Sequence, residues 1–449
     1  MACLVLALWP LTGSEAQESA SKITTPSASD RPVVVFVPGI TGSKLRHPTT
    51  GEVIWGDGEQ LIRPRDGGYA VARPITRPLD DPEALEAYAL IESISLAGYK
   101  RVIYGPFIDL LRERGGRFMD PESPKPTDDV LLFGYDWRQD NVVTAGRLHR
   151  TLERLRAARG VDRLPVILVG QSNGAHIGRY LVKYGAAPLV DAERGEALPP
   201  TNLRVLDLVL IGSSNGGSLR ILTELDRGRT YIPMVGRKMQ PETLFTFPSL
   251  YQDLPVYGDR YFLDPQGRQL DIDLYDPQTW KTLGWSVFAS DATERVTERP
   301  DIFGNEAQRL IFLERSLDRA QRFHTTLRRN AKGFDTVGDG GPPRITSIQS
   351  LKKDSPLLAI VEGSGSDHRL RLLDDSGLPR DPNIRRRLLE KGDGHAPRTS
   401  QLWLSPQELE ALVDGEPTYV DEVHRAMVAS PETVEILRTV LERAGWLEP

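Results

Sequence analysis

The sequence predicts an α/β protein in which a mostly parallel central sheet is flanked by helices. Runs of β-branched and aliphatic residues recur without polar alternation, as expected of strands that are buried on both faces of a parallel sheet. These runs cover residues 33–38, 130–135, 166–169, 205–211 and 357–361. Helical patterns separate several of them, and strands that alternate with helices favour a doubly wound sheet.

Helices are expected over residues 142–158 and 307–329, where apolar residues recur at helical spacing. Ser430 is followed by proline and glutamate, which is an N-cap, a first-turn proline and an early carboxylate, so a C-terminal helix begins there. Ser405 and the proline after it start a shorter helix in the same way.

Two stretches interrupt the alternation and read as insertions at the ligand-binding edge of the sheet. The first, at about 44–100, is rich in glycine, proline and arginine. The second, over 220–340, is rich in aromatic residues, as expected of a cap or lid. The predicted organisation is a leader and spacer over 1–30, a first core part over 31–219 with an insertion at about 44–100, a cap over 220–340, and a second core part over 341–449.

Composition excludes several classes of protein. The 449 residues carry a net charge of −6 with no long basic block, so nucleic acid is not expected as a partner. Cys3 is the single cysteine, so neither an internal disulfide nor a cysteine-based metal site can form within the chain. No metal and no cofactor are expected, and a metalloenzyme is the weakest alternative because no histidine or cysteine pair has ligand spacing.

The N-terminus resembles an atypical export signal. A short apolar run over residues 3–11 precedes small residues and a Ser/Thr/Pro-rich spacer, but no basic residue comes before the run. Export to the periplasm or outside the cell is therefore expected, with the cytoplasm as the alternative.

The most informative segment is a buried-strand pattern that ends in Gly170-Gln-Ser172-Asn-Gly174 and is followed at once by a helical pattern. A strand, a sharp turn with serine at its apex, and a helix form the nucleophile elbow of the α/β-hydrolase fold. The turn directs the serine Oγ into a cleft, and the helix N-terminus favours negative charge there. Ser172 is therefore predicted to be the nucleophile of an acyl-group enzyme.

A second Gly-x-Ser-x-Gly motif places Ser214 after the run at 205–211. The residues that follow it include a further glycine, which makes a poor helix start. The helical pattern after Ser172 is uninterrupted, so the context favours Ser172, and the second motif is interpreted as a tight turn.

The acid and the base are expected after the nucleophile, in that order. Asp393 lies in a glycine-flanked loop beyond the run at 357–361, and a plain solvated turn is the alternative for it. His424 precedes the last helix, where this topology delivers its base. His395 is too close to Asp393 and is expected to point away. The other histidines precede the acid: His47, His149, His176, His324 and His368.

In the predicted mechanism, His424 accepts the Ser172 proton while Asp393 orients the imidazole. The oxyanion is expected to meet the main-chain N–H groups of Asn173 and of Ile40, which follows the first strand.

Several segments together resemble the lecithin:cholesterol acyltransferase family of α/β-hydrolases. They are Val-Phe-Val-Pro-Gly-Ile-Thr-Gly-Ser-Lys-Leu at 35–45, Tyr-Asp-Trp-Arg at 135–138, the glycine turn at 212–218, Phe-Pro-Ser at 247–249, Leu-Pro at 254–255 and the three triad positions. Ser214 replaces the proline of the family's turn, Gln171 stands where the family usually has histidine, and the cysteines of its secreted animal members are absent.

The resemblance implies a serine-dependent lipid O-acyltransferase that forms an acyl-Ser172 intermediate. A lipase, phospholipase or carboxylesterase that transfers the acyl group to water is one alternative, and a catalytically silent lipid-binding protein is another. The expected partner is a lipid or other acyl ester, met at a membrane or lipid surface. Trp137, Phe247 and Tyr251 are candidate substrate contacts, with packing in the protein core as the alternative.

Overall fold

The computed structural model describes residues 31–448 except 58–59, 61–64, 82–84, 97–98, 232–235, 237, 364–368 and 373–378. The leader and spacer predicted over residues 1–30 lie outside the described residues. No helix of the described part is both long enough and apolar enough to cross a membrane.

A six-stranded sheet forms the centre of the protein. Its strands are β1 (Val33–Val37), β2 (Val130–Leu132), β3 (Leu164–Gln171), β4 (Leu203–Ile211), β5 (Arg344–Gln349) and β6 (Thr418–Tyr419). They lie in the order β6-β5-β4-β3-β1-β2, and every neighbouring pair is parallel. The order reverses beside β1, and ligands of doubly wound sheets bind at the carboxyl ends of the strands near such a reversal.

Successive side chains of β1 enter different hydrophobic clusters because neighbouring residues of a strand point to opposite faces. Val33, Val35 and Val37 belong to the larger cluster, whereas Val34 and Phe36 belong to the smaller one on the other face. All five side chains are fully buried, which explains why the sequence reads as an unbroken apolar run.

Helices cover both faces of the sheet. The helices α2 (Asn141–Arg159) and α3 (Asn173–Tyr184) contribute to the larger cluster, and α1 (Gly105–Glu113) and α4 (Pro431–Arg443) contribute to the smaller one. The side chain of Ser430 accepts a hydrogen bond from the N–H of Thr433, so α4 begins as the sequence predicts.

One predicted strand of the central sheet is assigned wrongly. The run at 357–361 forms the strand Ala359–Glu362, which pairs with Phe262–Leu263 and Arg369–Arg371 in a separate three-stranded sheet. The central position next to β4 belongs to β5, where threonine, serine and glutamine interrupt the apolar pattern. These polar side chains are buried because they have hydrogen-bond partners. The strand therefore lacks the apolar run by which a buried strand is recognised in the sequence.

The region over residues 220–340 is rich in helices and packs against α3 and the helix Leu189–Arg194. Its main helix, Glu306–Arg328, begins with a capping box at Asn305. The shorter helices of this region and of the segment before it are Leu189–Arg194, Leu219–Arg227, Pro241–Phe245, Pro248–Tyr251, Pro277–Thr282, Ser290–Thr297 and Pro300–Phe303.

Small sheets and short helices complete the described structure. The first insertion contains the sheet of Ser43–Arg46, Val53–Trp55 and Glu86–Leu90 and the hairpin of Ser93–Leu96 with Tyr99–Val102. Two further pairs are Arg229–Thr230 with Lys238–Met239 and Lys353–Pro356 with Leu389–Gly392. The late helices are Pro382–Leu388, Arg398–Gln401 and Pro406–Glu410.

Candidate active site

Ser172 lies between β3 and α3 with backbone angles of φ 53° and ψ −122°. A residue other than glycine rarely adopts such a conformation, and holding one there costs of the order of 1–3 kcal/mol. Small neighbours make the turn possible: a Cβ added to Gly174 would lie 2.1 Å from the carbonyl oxygen of Val37, and one added to Gly170 would lie 2.6 Å from that of Gly174. The spacing of the two glycines is therefore a steric requirement of the elbow.

Three side chains that are distant in sequence meet at this turn. The Ser172 Oγ lies 3.1 Å from the His424 Nε2, and the His424 Nδ1 lies 2.7 Å from the Asp393 Oδ2. These are hydrogen-bond distances between a nucleophile, a base and a carboxylate that orients the base. The structure thus brings together the three residues that the sequence selects.

Asp393 is held by main-chain donors at the end of the strand Leu389–Gly392. Its Oδ1 accepts hydrogen bonds from the N–H groups of His395 and Ala396, both at 2.8 Å. Burial disfavours the charged carboxylate, but the His424 imidazole and these donors outweigh burial and lower the pKa of Asp393 below its ordinary value. Asp393 is therefore a buried anion that faces the imidazole.

His424 occupies the loop between β6 and α4, and its main-chain N–H donates to the carbonyl oxygen of Asp393 at 2.9 Å. The ring of His395 stacks on the ring of His424, with centroids 4.5 Å apart and planes inclined by 25°. The prediction that His395 points away is therefore wrong. Since the Asp393 loop turns tightly, the N–H of His395 reaches the carboxylate while its ring lies over the imidazole.

The loop after β1 faces the nucleophile. Gly39 donates its N–H to the Oε1 of Gln171 at 2.9 Å, and Thr41 has a positive φ of 68°. Within the described part of the chain, the main-chain N–H groups of Ile40 and Asn173 donate to no protein acceptor. Two unpaired donors beside the elbow are what a developing oxyanion requires, and their role in catalysis stays a prediction.

Gln171, which directly precedes the nucleophile, connects the elbow to the loop after β1. Its Oε1 accepts from Gly39 and lies 3.3 Å from the Tyr104 hydroxyl. A Cβ on Gly39 would lie 2.6 Å from this same oxygen. Gln171 therefore fixes the distance between the β1 loop and the elbow, a role that the sequence analysis missed because the amide and the loop are 132 residues apart.

Ser214 occupies a buried turn after β4 and points away from the imidazole relay. Its hydroxyl donates to the Asp253 Oδ1 at 2.5 Å, and the neighbouring Ser213 hydroxyl accepts from Gln349 at 2.9 Å. Ser218 then caps the helix Leu219–Arg227. The second serine motif is thus the tight turn that the sequence predicts.

A cleft of about 800 Å³ opens in front of Ser172. Its walls come from the β1 loop, the first insertion, the start of the cap region and the loops that carry Asp393 and His424. The side chains Trp55 and Tyr231 line it and pack edge to face, with ring centroids 4.6 Å apart. Further apolar lining residues are Ile40, Ile91, Ile94, Ile103, Ile221, Val423 and Val428.

The three candidate substrate contacts are not part of this lining. Trp137, Phe247 and Tyr251 are fully buried in the larger hydrophobic cluster. The Trp137 ring packs between Trp55 and Phe247, with centroid distances of 5.4 and 5.5 Å. The assignment as substrate contacts is corrected to core packing, because Trp55 stands between Trp137 and the cleft.

Asp136 and Arg138 form a buried ion pair at 2.6 Å in the turn after β2. Asp136 also accepts from the N–H of Leu85, and Arg138 donates to the carbonyl oxygen of Val71. The pair therefore anchors the first insertion to the sheet.

Among the described residues, no group of three histidine, cysteine, aspartate or glutamate side chains is arranged to hold a metal ion. The cleft does contain several basic side chains that the sequence analysis did not select, namely Arg101, Arg220, Arg229, Lys353 and Arg425. Their spacing along the chain gives no signal, except that Arg425 directly follows the base.

No protein-family model and no curated protein matches this sequence. Among solved structures, a chain of the crystal structure of the Tle4–Tli4 complex is similar, with a TM-score of 0.57 over 93% of this chain and 99% of that chain. This chain has the α/β-hydrolase fold. At 14% sequence identity, the likeness establishes the fold alone.

Proposed function

We propose that this α/β-hydrolase is a serine esterase of the lipase or phospholipase type, which forms an acyl-Ser172 intermediate from a lipid ester. The observation that carries the proposal is the continuous relay from the Ser172 Oγ through His424 to Asp393, at 3.1 and 2.7 Å. The relay opens into a cleft with apolar walls, which suits an acyl chain.

In the proposed reaction, the Ser172 Oγ attacks the ester carbonyl while the His424 Nε2 accepts its proton. Asp393 keeps the Nδ1 proton on the far side of the imidazole and stabilises the imidazolium. The N–H groups of Ile40 and Asn173 receive the oxyanion. His424 then protonates the leaving alcohol, and the same steps in reverse order pass the acyl group to an acceptor.

A silent lipid-binding protein fits the observations less well. A protein without catalysis has no need to hold Ser172 in a strained conformation, and strain of this kind persists where it serves a function. The carboxylate of Asp393 is buried and directed at the His424 imidazole, where it would stabilise the imidazolium that forms during catalysis.

Covalent labelling by a fluorophosphonate tests the nucleophile. We expect stoichiometric labelling of the wild type, no labelling of Ser172→Ala, and labelling of the control variant Ser214→Ala. The labelled variants and the wild type are compared at equal folded concentration, as measured by circular dichroism. Labelling that survives in Ser172→Ala, or that is lost only in Ser214→Ala, contradicts the proposal.

Transfer to an alcohol, as in the lecithin:cholesterol acyltransferase family, is the finer form of the proposal, and kinship with that family is supported by the motifs in the sequence. The acceptor depends on how completely the walls of the cleft exclude water from the acyl-enzyme. Incubation with a phospholipid, with and without a long-chain alcohol, separates the two outcomes: a new ester indicates transfer, and free fatty acid alone indicates hydrolysis.

Export is proposed from the N-terminal sequence alone. Cell fractionation of the full chain and of a variant that begins at residue 31 tests it, because only the full chain is expected outside the cytoplasm.

A further inference from the structure

Three arginines lie together on one wall of the cleft. Arg101, Arg229 and Arg425 all line it, and the Arg101 guanidinium donates to the main-chain carbonyl of Arg425 at 3.2 Å. Arg425 follows the base His424 directly, so this group of arginines, here called the arginine wall, stands beside the reacting atoms.

The arginine wall carries more positive charge than nearby carboxylates neutralise. Glu224 pairs with Arg229 at 3.1 Å, and within the described residues neither Arg101 nor Arg425 forms an ion pair with a carboxylate. The other carboxylates of the cleft are already engaged: Asp354 pairs with Lys391 at 2.8 Å, and Asp393 binds His424.

The remaining cleft carboxylate, Asp253, is also occupied. It accepts from the Ser214 hydroxyl and faces the rings of His176 and His395 at 3.5 and 3.6 Å. Two arginine charges therefore remain uncompensated in front of the nucleophile.

The positively charged guanidinium groups of Arg229 and Arg425 repel each other. Arg229 is the main cause that lowers the pKa of Arg425 to about 10, with burial as the second cause. An anion placed between the guanidiniums removes the repulsion and accepts charge-assisted hydrogen bonds from both. The arrangement is unfavourable when empty and favourable when an anion is bound.

The apolar part of the same wall begins next to Arg229. The Arg229 guanidinium lies 4.9 Å from the centroid of the Tyr231 ring, which packs against Trp55. Ile221 continues this surface within the cleft. A ligand that matches the wall has an anionic group at one end and a hydrocarbon chain at the other.

We propose that the substrate is an anionic phospholipid whose phosphate diester binds Arg425, Arg229 and Arg101 while its acyl chain lies along Tyr231 and Trp55. This inference rests on the proposed esterase function and names its substrate class. A zwitterionic headgroup is disfavoured because its quaternary amine adds a positive charge close to an already cationic wall.

The test compares hydrolysis of phosphatidylglycerol and phosphatidylcholine with identical acyl chains, each diluted in the same neutral detergent micelles. The readout is the ratio of the two kcat/KM values. We expect the wild type to prefer phosphatidylglycerol by about tenfold or more, because both lipids present the same phosphate diester and only phosphatidylcholine adds a positive charge beside the arginine wall. The double variant Arg101→Gln/Arg425→Gln is expected to bring the ratio close to one.

Arg438→Gln is the matched control, because Arg438 lies on the outer surface of α4 beside Glu435, and its ratio is expected to equal that of the wild type. A ratio near one in the wild type, or a ratio that the double variant leaves unchanged, overturns the inference. Inorganic phosphate is tested as an inhibitor of phosphatidylglycerol hydrolysis. Inhibition by phosphate at the same molar concentration as the phospholipid would assign the arginine wall to free phosphate and overturn the lipid assignment.

Failure of this inference is distinguishable from failure of the proposed function. Ser172-dependent hydrolysis of both phospholipids at equal rates retains the esterase and rejects the headgroup preference. Absence of fluorophosphonate labelling in the wild type rejects the esterase itself.

Discussion

Asp393 shows at the scale of one residue how the site separates charge from solvent. The residue is 1% exposed. One carboxylate oxygen accepts two main-chain hydrogen bonds, and the other forms a hydrogen bond with the His424 imidazole. The lowered pKa of Asp393 keeps its carboxylate ionised at neutral pH. The imidazole is therefore always oriented by an anion, and the fixed tautomer presents Nε2 to Ser172.

Asp393→Asn tests this role. The amide preserves the shape of the side chain but supplies no charge and favours the wrong imidazole tautomer, so we expect kcat for ester hydrolysis to fall by about 10³–10⁴-fold. Steady-state kinetics on a short-chain ester measure the effect. Asp421→Asn is the control, because Asp421 is exposed in the loop before His424, and its kcat should remain at the wild-type value. A fall of less than tenfold in Asp393→Asn contradicts the assignment.

At the scale of elements, a buried ion cluster joins α3 to the helix Pro406–Glu410. The Glu408 carboxylate forms ion pairs with Arg179 at 2.7 Å and with Lys183 at 3.2 Å. All three side chains are at most 1% exposed. Burial raises the pKa of Glu408, but Arg179 and Lys183 more than offset it, so that the pKa lies below its ordinary value. Burial lowers the pKa of Lys183 to about 8 despite the attraction of Glu408. The cluster fixes the far end of the elbow helix.

Glu408→Gln leaves two buried cations without their carboxylate, and we expect the free energy of unfolding to fall by about 3–5 kcal/mol. Urea unfolding at pH 7 measures it, and Glu410→Gln on the exposed side of the same helix serves as the control. The pKa of Glu408 is lower in the folded than in the unfolded chain. Its stabilisation is therefore present above the unfolded value near about 4.3 and is lost progressively as the pH falls from that value towards the lower folded pKa. The wild type should therefore lose more stability than Glu408→Gln between pH 6 and pH 3.

At the scale of the whole molecule, the cap region and the sheet share one hydrophobic core. The larger cluster contains Val35 of the sheet, Trp137, and the cap side chains Phe247, Trp280 and Phe323. Polar contacts cross the same boundary: Asp140 caps α2 and also pairs with Arg319 of the long cap helix at 2.6 Å. Two regions with a common core are expected to unfold together.

Phe247→Ala tests this continuity. Phe247 is fully buried where the cap region meets the sheet, so its truncation should lower the free energy of unfolding by about 3–5 kcal/mol. Unfolding followed by far-ultraviolet circular dichroism and by tryptophan fluorescence should show one transition, shifted equally by both probes. Phe118→Ala, at an exposed aromatic residue, is the control. Separate transitions in the variant would show that cap and sheet do not share a core.

The local sequence predicted those features that depend on short-range sterics and periodicity. Gly170 and Gly174 are required by clashes with atoms of adjacent segments, so their spacing around Ser172 identifies the elbow directly. The strand β1 and the helix α2 follow from apolar runs and apolar spacing that are complete within each element. Chain order selected Asp393 and His424, because the topology of a parallel sheet delivers its loops in a fixed sequence.

The tertiary structure alone decided which side chains face the cleft. Trp55 and Trp137 have the same chemistry and contact one another, yet only Trp55 lines the cleft. The two residues are 82 positions apart, so only the folded structure determines which of the two rings faces the cleft. The polar strand β5 and the stacking of His395 on His424 depend in the same way on partners from distant segments. A sequence pattern determines what a segment can form, whereas the contents of a cleft depend on long-range packing that no single segment encodes.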